Sequence, residues 1–152
     1  MNGTTIRSAV GADLDELMEL ERGVAEAPHW GIRAYAEILA GQGLRRCLLL
    51  AEVEGRLGGF AVAAVAGSRG DLESVAVAAW ARRSGVGKAL CKAVIGWCGD
   101  EGATEVELEV RLGSRGAQRL YEGLGFVVEG ERKGYYTDPV EDAVLMRLEL
   151  AG

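Results

Sequence analysis

The ten residues ARRSGVGKAL, at positions 81–90, combine glycines with basic side chains in a pattern that is typical of phosphate binding. They are not a nucleoside-triphosphate loop, because that motif needs glycine where Arg82 stands and a magnesium-binding hydroxyl where Ala89 stands. They are not a dinucleotide fingerprint either, because Leu90 replaces its last glycine. Two interpretations remain: a phosphate bound to the backbone without a metal, or a glycine-rich helix start with solvated arginines.

The elements on either side of this stretch favour the phosphate. The stretch follows a predicted strand that ends in ESVAV, and it opens a predicted amphipathic helix from Ser84 to about Asp100. The N-terminus of a helix presents unpaired N–H groups and the positive end of the helix dipole, which together form an anion site. Gly85 and Gly87 let a ligand approach the backbone closely. A pyrophosphate would fit beside the basic side chains of Arg82, Arg83 and Lys88.

The composition limits the kinds of protein that this chain can be. Its 152 residues, 49% of them hydrophobic, suffice for the core of one domain, so we expect a single domain over residues 1–152. The net charge of −6 argues against general nucleic-acid or membrane-surface binding, because both require a basic face. The first ten residues do not resemble a signal peptide, and no run of about 18 apolar residues occurs. These features predict a cytoplasmic protein.

The cysteines and the histidine argue against a metal or redox site. Cys47, Cys91 and Cys98 are odd in number and match no metal-binding or redox spacing. They predict buried thiols in a reducing compartment. His29 is the only histidine, which excludes histidine dyads and multi-histidine metal sites. We therefore expect no metal.

Hydrophobic periodicity predicts eleven elements in the order β-α-α-β-β-β-α-β-α-β-β, which is an α/β sandwich with a mixed sheet. The first strand lies in TTIRSAV, and two helices follow within residues 12–26 and 28–41. A hairpin signal at 54–56 separates two strands, and GDLESVAVA forms the next one. TEVELEVR alternates strictly, which places Val106, Leu108 and Val110 on one face. A helix in SRGAQRLYEGL ends at a left-handed Gly125, and FVVEGERKGYY and EDAVLMRLEL are the last strands.

Three motifs in order resemble one known family. The pattern Arg82-x-x-Gly85-x-Gly87, placed between a strand and an amphipathic helix, resembles the acetyl-CoA motif of the GCN5-related N-acetyltransferase (GNAT) superfamily. LEVRLGSRGAQRLYEGLGF and RKGYYTDPVEDAVLM are similar to the ribosomal-protein alanine N-acetyltransferase branch. The resemblance covers roughly Asp71 to Leu150, whereas the N-terminal third matches only through its PHW turn. It implies a mixed, mostly antiparallel sheet of about seven strands with four helices, splayed at the two central strands.

The resemblance implies a site for acetyl-CoA as cosubstrate, without a metal. In that family the pantetheine arm lies in the gap between the splayed strands and bonds to exposed backbone, which here is Val75, Ala76 and Val77. The implied pyrophosphate cradle consists of Arg82, Arg83, Ser84, Gly85, Val86, Gly87 and Lys88. The family also uses an asparagine before the next helix to touch the cofactor, and this chain has Ser114 there. The resemblance leaves open whether the Ser114 hydroxyl makes the contact with the cofactor that the asparagine makes in the family.

The resemblance also implies a base and an acid for transfer to an amine. Glu109 and Tyr121 match the family's glutamate base and its tyrosine acid. By periodicity alone, Glu109 is typical of a solvated strand face and Tyr121 of a core aromatic. Glu73 is a rival base, because it alternates with Val75 and Val77 on an apolar face where burial would raise its pKa. The sequence leaves the choice between the two glutamates open.

The acceptor expected from this resemblance is the N-terminal α-amine of a protein, possibly a ribosomal one. Tyr135 and Tyr136 would wall its side of the site together with Trp30 of the PHW turn, although tyrosines at a hairpin need no such role. A small-molecule amine or a lysine is the alternative acceptor, and a non-catalytic acyl-CoA-binding module is the alternative from another class. Either a monomer or a homodimer is compatible with the sequence.

Overall fold

The computed structural model describes residues 3–24, 27–137 and 139–150. Its seven strands and four helices follow the predicted order, with short 3₁₀ turns at Gly11–Asp13 and Ala79–Ala81. The predicted first helix extended to residue 26, of which residues 25 and 26 lie outside the described part. The elements are β1 (Thr4–Ser8), α1 (Leu14–Arg22), α2 (Ile32–Leu39), β2 (Arg45–Val53), β3 (Arg56–Ala66), β4 (Arg69–Val77), α3 (Val86–Asp100), β5 (Glu105–Arg111), α4 (Arg115–Gly123), β6 (Val127–Thr137) and β7 (Val140–Glu149).

The strands form one twisted layer in the order β1-β2-β3-β4-β5-β7-β6. All neighbours are antiparallel except β4 and β5, which are parallel because α3 returns the chain across one face of the sheet. The hairpin between β2 and β3 turns at Glu54 and Gly55, whose φ angles of 52° and 83° are those of a tight hairpin turn. The predicted mixed, mostly antiparallel sheet is confirmed.

Helices cover both faces of the sheet at strands β2 to β4, where alternate residues of a strand face different helices. On one side α3 and α4 pack against residues such as Leu49 and Leu108. On the other side α1 and α2 pack against residues such as Leu50 and Phe60. The central strand β3 is buried along almost its whole length, as expected for a strand covered on both faces.

The core face of α3 is wider than the periodicity predicted. Val86, Leu90 and Val94 are buried as expected, while Trp97 is only partly buried. Cys91 and Cys98 lie between them and are fully buried, and Cys47 reaches the same core from β2. All three thiols are free, which confirms the prediction of buried, unpaired cysteines.

The sheet opens into a wedge between β4 and β5. Only three residue pairs join these strands, from Arg69 with Glu105 to Asp71 with Glu107. Beyond Asp71, the edge of β4 that faces β5 has no strand partner among the described residues. This confirms the splay that the family resemblance implied.

A bulge in β4 overturns one expectation about Glu73. Ser74 pairs with Val62 and Leu72 pairs with Ala63, so that Glu73 is an extra residue opposite β3. Val75 packs on the α3 side of the sheet, as Leu72 does before the bulge. Glu73 instead pairs with Arg46, which lies on the α1–α2 side in alternation with Leu48. The prediction that Glu73 shares an apolar face with Val75 and Val77 is therefore wrong, because the bulge breaks strict alternation.

Among the described residues, no helix is both long enough and apolar enough to cross a membrane.

Candidate active site

The N-terminus of α3 forms an open cradle of backbone groups. Gly85 precedes the helix with a left-handed φ of 83°, and Arg83 also has a positive φ of 64°. The N–H of Ala89 donates to the carbonyl of Gly85 at 3.0 Å. In an α-helix the N–H groups before such a first bond have no acceptor one turn earlier, so those of 86–88 lie at the positive end of the helix dipole. A Cβ added to Gly85 would meet no atom within 4 Å, which shows the space beside the cradle.

Side chains around the cradle anchor it and give it positive charge. Val86 is buried and fixes the first turn of α3 in the core. The Ser84 hydroxyl donates to the carbonyl of Ala81 at 2.5 Å, and the Nε of Arg82 donates to the carbonyl of Val77 at 3.2 Å. The Arg82 bond ties the loop to the end of β4, and the Ser84 bond holds the loop to the preceding 3₁₀ turn. The side chain of Arg83 is exposed at the surface. The cradle thus suits an anionic group.

The wedge lies between this cradle and the start of α4. Along β4, Val75 and Val77 pack toward α3 and the side chain of Ala76 is buried on the opposite face. Ser114 is the residue that precedes α4, and its side chain makes no capping hydrogen bond within the described residues. Its carbonyl accepts the N–H of Gln118 at 3.1 Å, so the backbone alone starts the helix. The Ser114 hydroxyl is thus left for other contacts.

An open groove of about 620 Å³ lies on the α1–α2 side of the sheet. Its lining is rich in carboxylates, which come from alternate positions of β4 and β5 and from β6. Burial raises the pKa of Glu107, and the carboxylates around it add to the effect, while Arg69 lowers it in part. The residues that line the groove are Pro28, Trp30, Arg69, Asp71, Leu72, Glu73, Glu107, Leu108, Glu109, Glu129, Arg132, Tyr135, Tyr136, Leu145 and Met146.

Glu109 lies in this groove with both carboxylate oxygens engaged. The Tyr135 hydroxyl donates to Oε1 at 3.0 Å, and the Nη1 of Arg132 lies 3.2 Å from Oε2. The Arg132 guanidinium also lies 5.3 Å from the centre of the Tyr135 ring. The hydrogen bond to Glu109 is the main reason why the pKa of Tyr135 is raised.

Tyr136 forms the other half of an aromatic corner. Its ring meets that of Tyr135 edge to face at 5.1 Å, and the guanidinium of Arg111 lies 4.2 Å over it. Glu141 fixes Arg111 by an ion pair at 3.2 Å and accepts the N–H of Gly113 at 2.7 Å. These contacts hold the end of β5 against β6 and β7.

An irregular segment of β6 brings Arg132 and Tyr135 to the groove. Arg132 pairs with Ala143 and Tyr136 pairs with Glu141, so three residues of β6 lie opposite the single residue Asp142 of β7. The N–H of Gly134, whose φ is 59°, donates to Oδ1 of Asp142 at 2.8 Å. No motif pointed to the role of Asp142, although a glycine within a strand pattern, here Gly134, is a known signal for a bulge.

Tyr121 lies on α4, on the face of the sheet that α3 also covers. Its ring meets Phe126 edge to face at 5.8 Å, and it packs against the core that α3 covers. Burial raises the pKa of Tyr121 above its ordinary value, and Cys91 and Tyr136 are near enough to add to this. Tyr136 is in turn near Glu109, whose charge contributes to the raised pKa of Tyr136. Tyr136 is therefore near both Glu109 and Tyr121.

Trp30 reaches the groove from the α1–α2 connection, which a buried acid holds in place. Glu21 is only 2% exposed, and it accepts the N–H of Trp30 at 3.2 Å and the hydroxyl of Tyr35. His29 and Gly31 flank Trp30 with φ angles of 57° and 90°. No motif pointed to the roles of Glu21 and Tyr35, although Glu21 occupies an apolar position of the α1 periodicity.

The structure thus gathers most of the predicted site residues at two adjoining places. Glu109, Tyr135, Tyr136 and Trp30 line the groove, and Glu73 lines it as well, where its carboxylate receives two hydrogen bonds from Arg46 at 2.7 and 3.1 Å. The cradle and the wedge hold the residues predicted to bind phosphate and pantetheine. In the part of the chain that the structure describes, no group of three or more His, Cys, Asp or Glu residues is arranged to hold a metal ion.

The chain is similar to known acetyltransferases in sequence and in fold. The model of the acetyltransferase (GNAT) family matches residues 13–126. The ribosomal protein bS18-alanine N-acetyltransferase of Escherichia coli (strain K12) is 32% identical over 149 residues, which are 97% of this chain and 98% of that protein. The crystal structure of the ribosomal-protein-S18-alanine N-acetyltransferase from Escherichia coli has a TM-score of 0.84 at 31% identity, covering 98% of this chain and 95% of that one.

A more distant structure shares the fold. Arabidopsis thaliana Naa50, in complex with the bisubstrate analogue CoA-Ac-MVNAL, has a TM-score of 0.81 at 19% identity and covers 97% of this chain and 99% of its own. The family match spans the wedge and the cradle, and the resemblance predicted from the motifs is confirmed. This chain belongs to the GNAT family of acetyltransferases.

Proposed function

We propose that this enzyme transfers the acetyl group of acetyl-CoA to the N-terminal α-amine of a protein, and that a ribosomal protein beginning with alanine is its substrate. The observation that carries the proposal is the position of Glu109, in the lining of an open groove beside the wedge. The groove has a volume of about 620 Å³, and Trp30, Tyr135 and Tyr136 line it as well. The substrate named for the Escherichia coli relative supports the same class of acceptor.

The residues of this chain fit acetyl-CoA as the cosubstrate. The open space beside Gly85 and the backbone amides of 86–88 suit a pyrophosphate, with Arg83 adding positive charge. The edge of β4 at 75–77, which has no strand partner in the described part of the chain, can form backbone hydrogen bonds with a ligand as it would with an added strand. Acetyl-CoA, when bound, supplies the thioester carbonyl that the amine attacks. We place the reaction in the cytoplasm, where thiols such as Cys91 stay reduced.

Two side chains of this enzyme move the protons in the proposed mechanism. The acceptor must lose a proton to become a nucleophile, and Glu109, directly or through a water, takes it. Tyr121 donates a proton to the departing sulfur, since its raised pKa keeps the hydroxyl protonated at neutral pH. Tyr135 orients the carboxylate of Glu109 by its 3.0 Å hydrogen bond.

An α-amine suits a partly exposed base such as Glu109. Its reference pKa is about 7.7–8.0, so on the order of a tenth of such groups are already neutral at about pH 7. A lysine, with a reference pKa of about 10.4, is neutral in less than about one molecule in a thousand. A carboxylate that exchanges protons with water therefore meets a neutral α-amine far more often than a neutral lysine.

An acceptor panel tests the proposal. The enzyme is incubated with labelled acetyl-CoA and an alanine-starting peptide that contains an internal lysine, and with the same peptide blocked at its N-terminus. Small amines complete the panel. We expect mass spectrometry to find one acetyl group on the free N-terminus and none on the blocked peptide. Acetylation of the internal lysine or of small amines alone would show that the acceptor class is wrong.

A further inference from the structure

The two oxygens of Glu109 are held by two different residues of β6. Tyr135 donates a hydrogen bond to Oε1 at 3.0 Å, and Arg132 forms an ion pair with Oε2 at 3.2 Å. The two contacts differ in kind, because the tyrosine is a neutral donor and the guanidinium is a cation. Tyr135 therefore orients Oε1, while Oε2 already has a positively charged partner in Arg132.

The irregular segment of β6 makes both contacts possible. Arg132 is the last regularly paired residue before it, and Tyr135 is its last residue. Asp142 fixes the segment between them through the N–H of Gly134 at 2.8 Å. The strand thus turns Arg132 and Tyr135 toward the same carboxylate, with the guanidinium 5.3 Å from the Tyr135 ring.

The ion pair is one that a competing cation can replace. The Arg132 side chain is 57% exposed, and exposed ion pairs contribute little free energy. Glu107 and Glu129 also line the groove, so a displaced guanidinium would remain near negative charge. Tyr135 would continue to hold Oε1 after Arg132 has moved.

The acceptor of the proposed reaction arrives as a cation as well. At about pH 7 most α-amines are protonated, and the ammonium must approach the group that accepts its proton. Two cations that contact the same carboxylate oxygen repel each other. We propose that Arg132 occupies the place on Glu109 that the acceptor's ammonium group requires, and thereby determines how tightly an amine acceptor binds. This inference rests on the proposed role of Glu109 toward an amine.

Substituting Arg132 tests this competition. In Arg132→Gln the acceptor no longer displaces a cation, so we expect its KM to fall by about two- to fivefold at about pH 8, the range that an exposed ion pair accounts for. We expect kcat to stay within about twofold, because Tyr135 still orients Glu109. Arg132→Lys, which retains a cation, should stay near the wild-type KM. Lys133→Gln is the matched control, because Lys133 is a neighbouring cation of β6 that pairs with Asp142 instead.

A binding experiment separates this inference from the proposed function. Calorimetry of an alanine-starting peptide with the CoA-saturated enzyme should show tighter binding to Arg132→Gln than to wild type. The gain should disappear in the Glu109→Gln background, where the shared carboxylate is absent. An unchanged or higher KM in Arg132→Gln, or a gain that persists without Glu109, would overturn the inference. Failure of wild type to acetylate the peptide would instead refute the proposed acceptor, and the comparison would then be made with the amine that the panel identifies.

Discussion

Glu21 and Tyr35 join the two N-terminal helices through a buried hydrogen bond. The carboxylate on α1 accepts the hydroxyl on α2 and also the backbone N–H of Trp30 at 3.2 Å. Both side chains are almost completely buried, at 2% and 0% exposure. A buried carboxylate thereby fixes the connection that carries Trp30 to the groove.

Removing the Tyr35 hydroxyl should loosen this connection. Tyr35→Phe leaves Glu21 buried with one hydrogen bond fewer, which we expect to lower the free energy of unfolding by about 1–3 kcal/mol. We also expect a higher KM for a peptide acceptor, because the Glu21 carboxylate that accepts the N–H of Trp30 is then held less firmly. Denaturant unfolding and steady-state kinetics measure the two effects. Glu19→Gln, an exposed carboxylate of the same helix, is the control and should change neither; an unaltered Tyr35→Phe enzyme would contradict the role of this bond.

Alanine at Gly85 should disturb the cradle more than the fold. The left-handed φ of 83° costs an alanine about 1 kcal/mol, and its methyl group would enter the open space beside the amides. We expect CoA to bind about three- to tenfold more weakly, as measured by calorimetry. Gly96→Ala, within α3 and without neighbours at its added Cβ, should gain about 0.5–1 kcal/mol and bind CoA normally. Equal CoA affinity of the two variants would argue against the cradle.

A pair of glutamine substitutions distinguishes the two candidate bases. Glu109→Gln should lower kcat by at least about a hundredfold, because the groove loses the carboxylate nearest the aromatic corner. Glu73→Gln weakens an ion pair with Arg46 and should change kcat by less than about threefold, at a stability cost below about 1 kcal/mol. Single-turnover rates and thermal unfolding measure these effects. The opposite order of the two kcat values would make Glu73 the base.

The environment of Glu73 shows where sequence reasoning reaches its limit. Alternation correctly places Val106 and Leu108 on one face of β5 and Glu109 on the other, because β5 is regular. The same reasoning fails for Glu73, because an extra residue in β4 changes which side chains of that strand face α3. Its partner Arg46 lies on β2, which is far from β4 in sequence. Local patterns predict regular elements, whereas bulges depend on how two strands pair.

On the acceptor side of the site, too, some residues could be predicted from the sequence and others could not. Glu109, Tyr121, Tyr135 and Tyr136 could be predicted, because each of them lies inside a short motif that resembles the family. Asp142 and the Glu21 to Tyr35 hydrogen bond could not be predicted, since their function depends on which backbone amide or hydroxyl the fold brings to them. Groups that position a site are therefore harder to predict than groups that line it.

Phenylalanine at position 121 should remove the proposed proton donor. We expect Tyr121→Phe to lower kcat at least about tenfold with little change in CoA affinity. Burial raises the pKa of Tyr121, so the wild-type hydroxyl stays protonated through the ordinary tyrosine pKa of about 10, and this group should cause no loss of turnover below that pH. A pH profile of kcat measures the alkaline limb. An unchanged rate in the variant would remove the proposed role.

The three cysteines should be unreactive in the folded enzyme. Burial raises the pKa of Cys47 and Cys91 to about 12 and that of Cys98 to about 11, so less than about one thiol in a thousand is ionised at about pH 8. We expect a thiol-specific chromogenic disulfide to label no cysteine in the native protein and all three after unfolding. Rapid labelling under native conditions would contradict the buried positions.

The wedge has a consequence for how the molecule opens. It divides the sheet into a leaf of β1 to β4 and a leaf of β5 to β7, which only three residue pairs and the helices hold together. A ligand that bonds to the free edge of β4 and also reaches Ser114, which follows β5, would bridge both leaves, and its binding free energy would add to the stability of the whole molecule. Backbone amides next to the wedge would then exchange with solvent more slowly as the ligand concentration rises. The bound cosubstrate would thus take the place of a missing strand beside β4 and stabilise the sheet for as long as it stays bound.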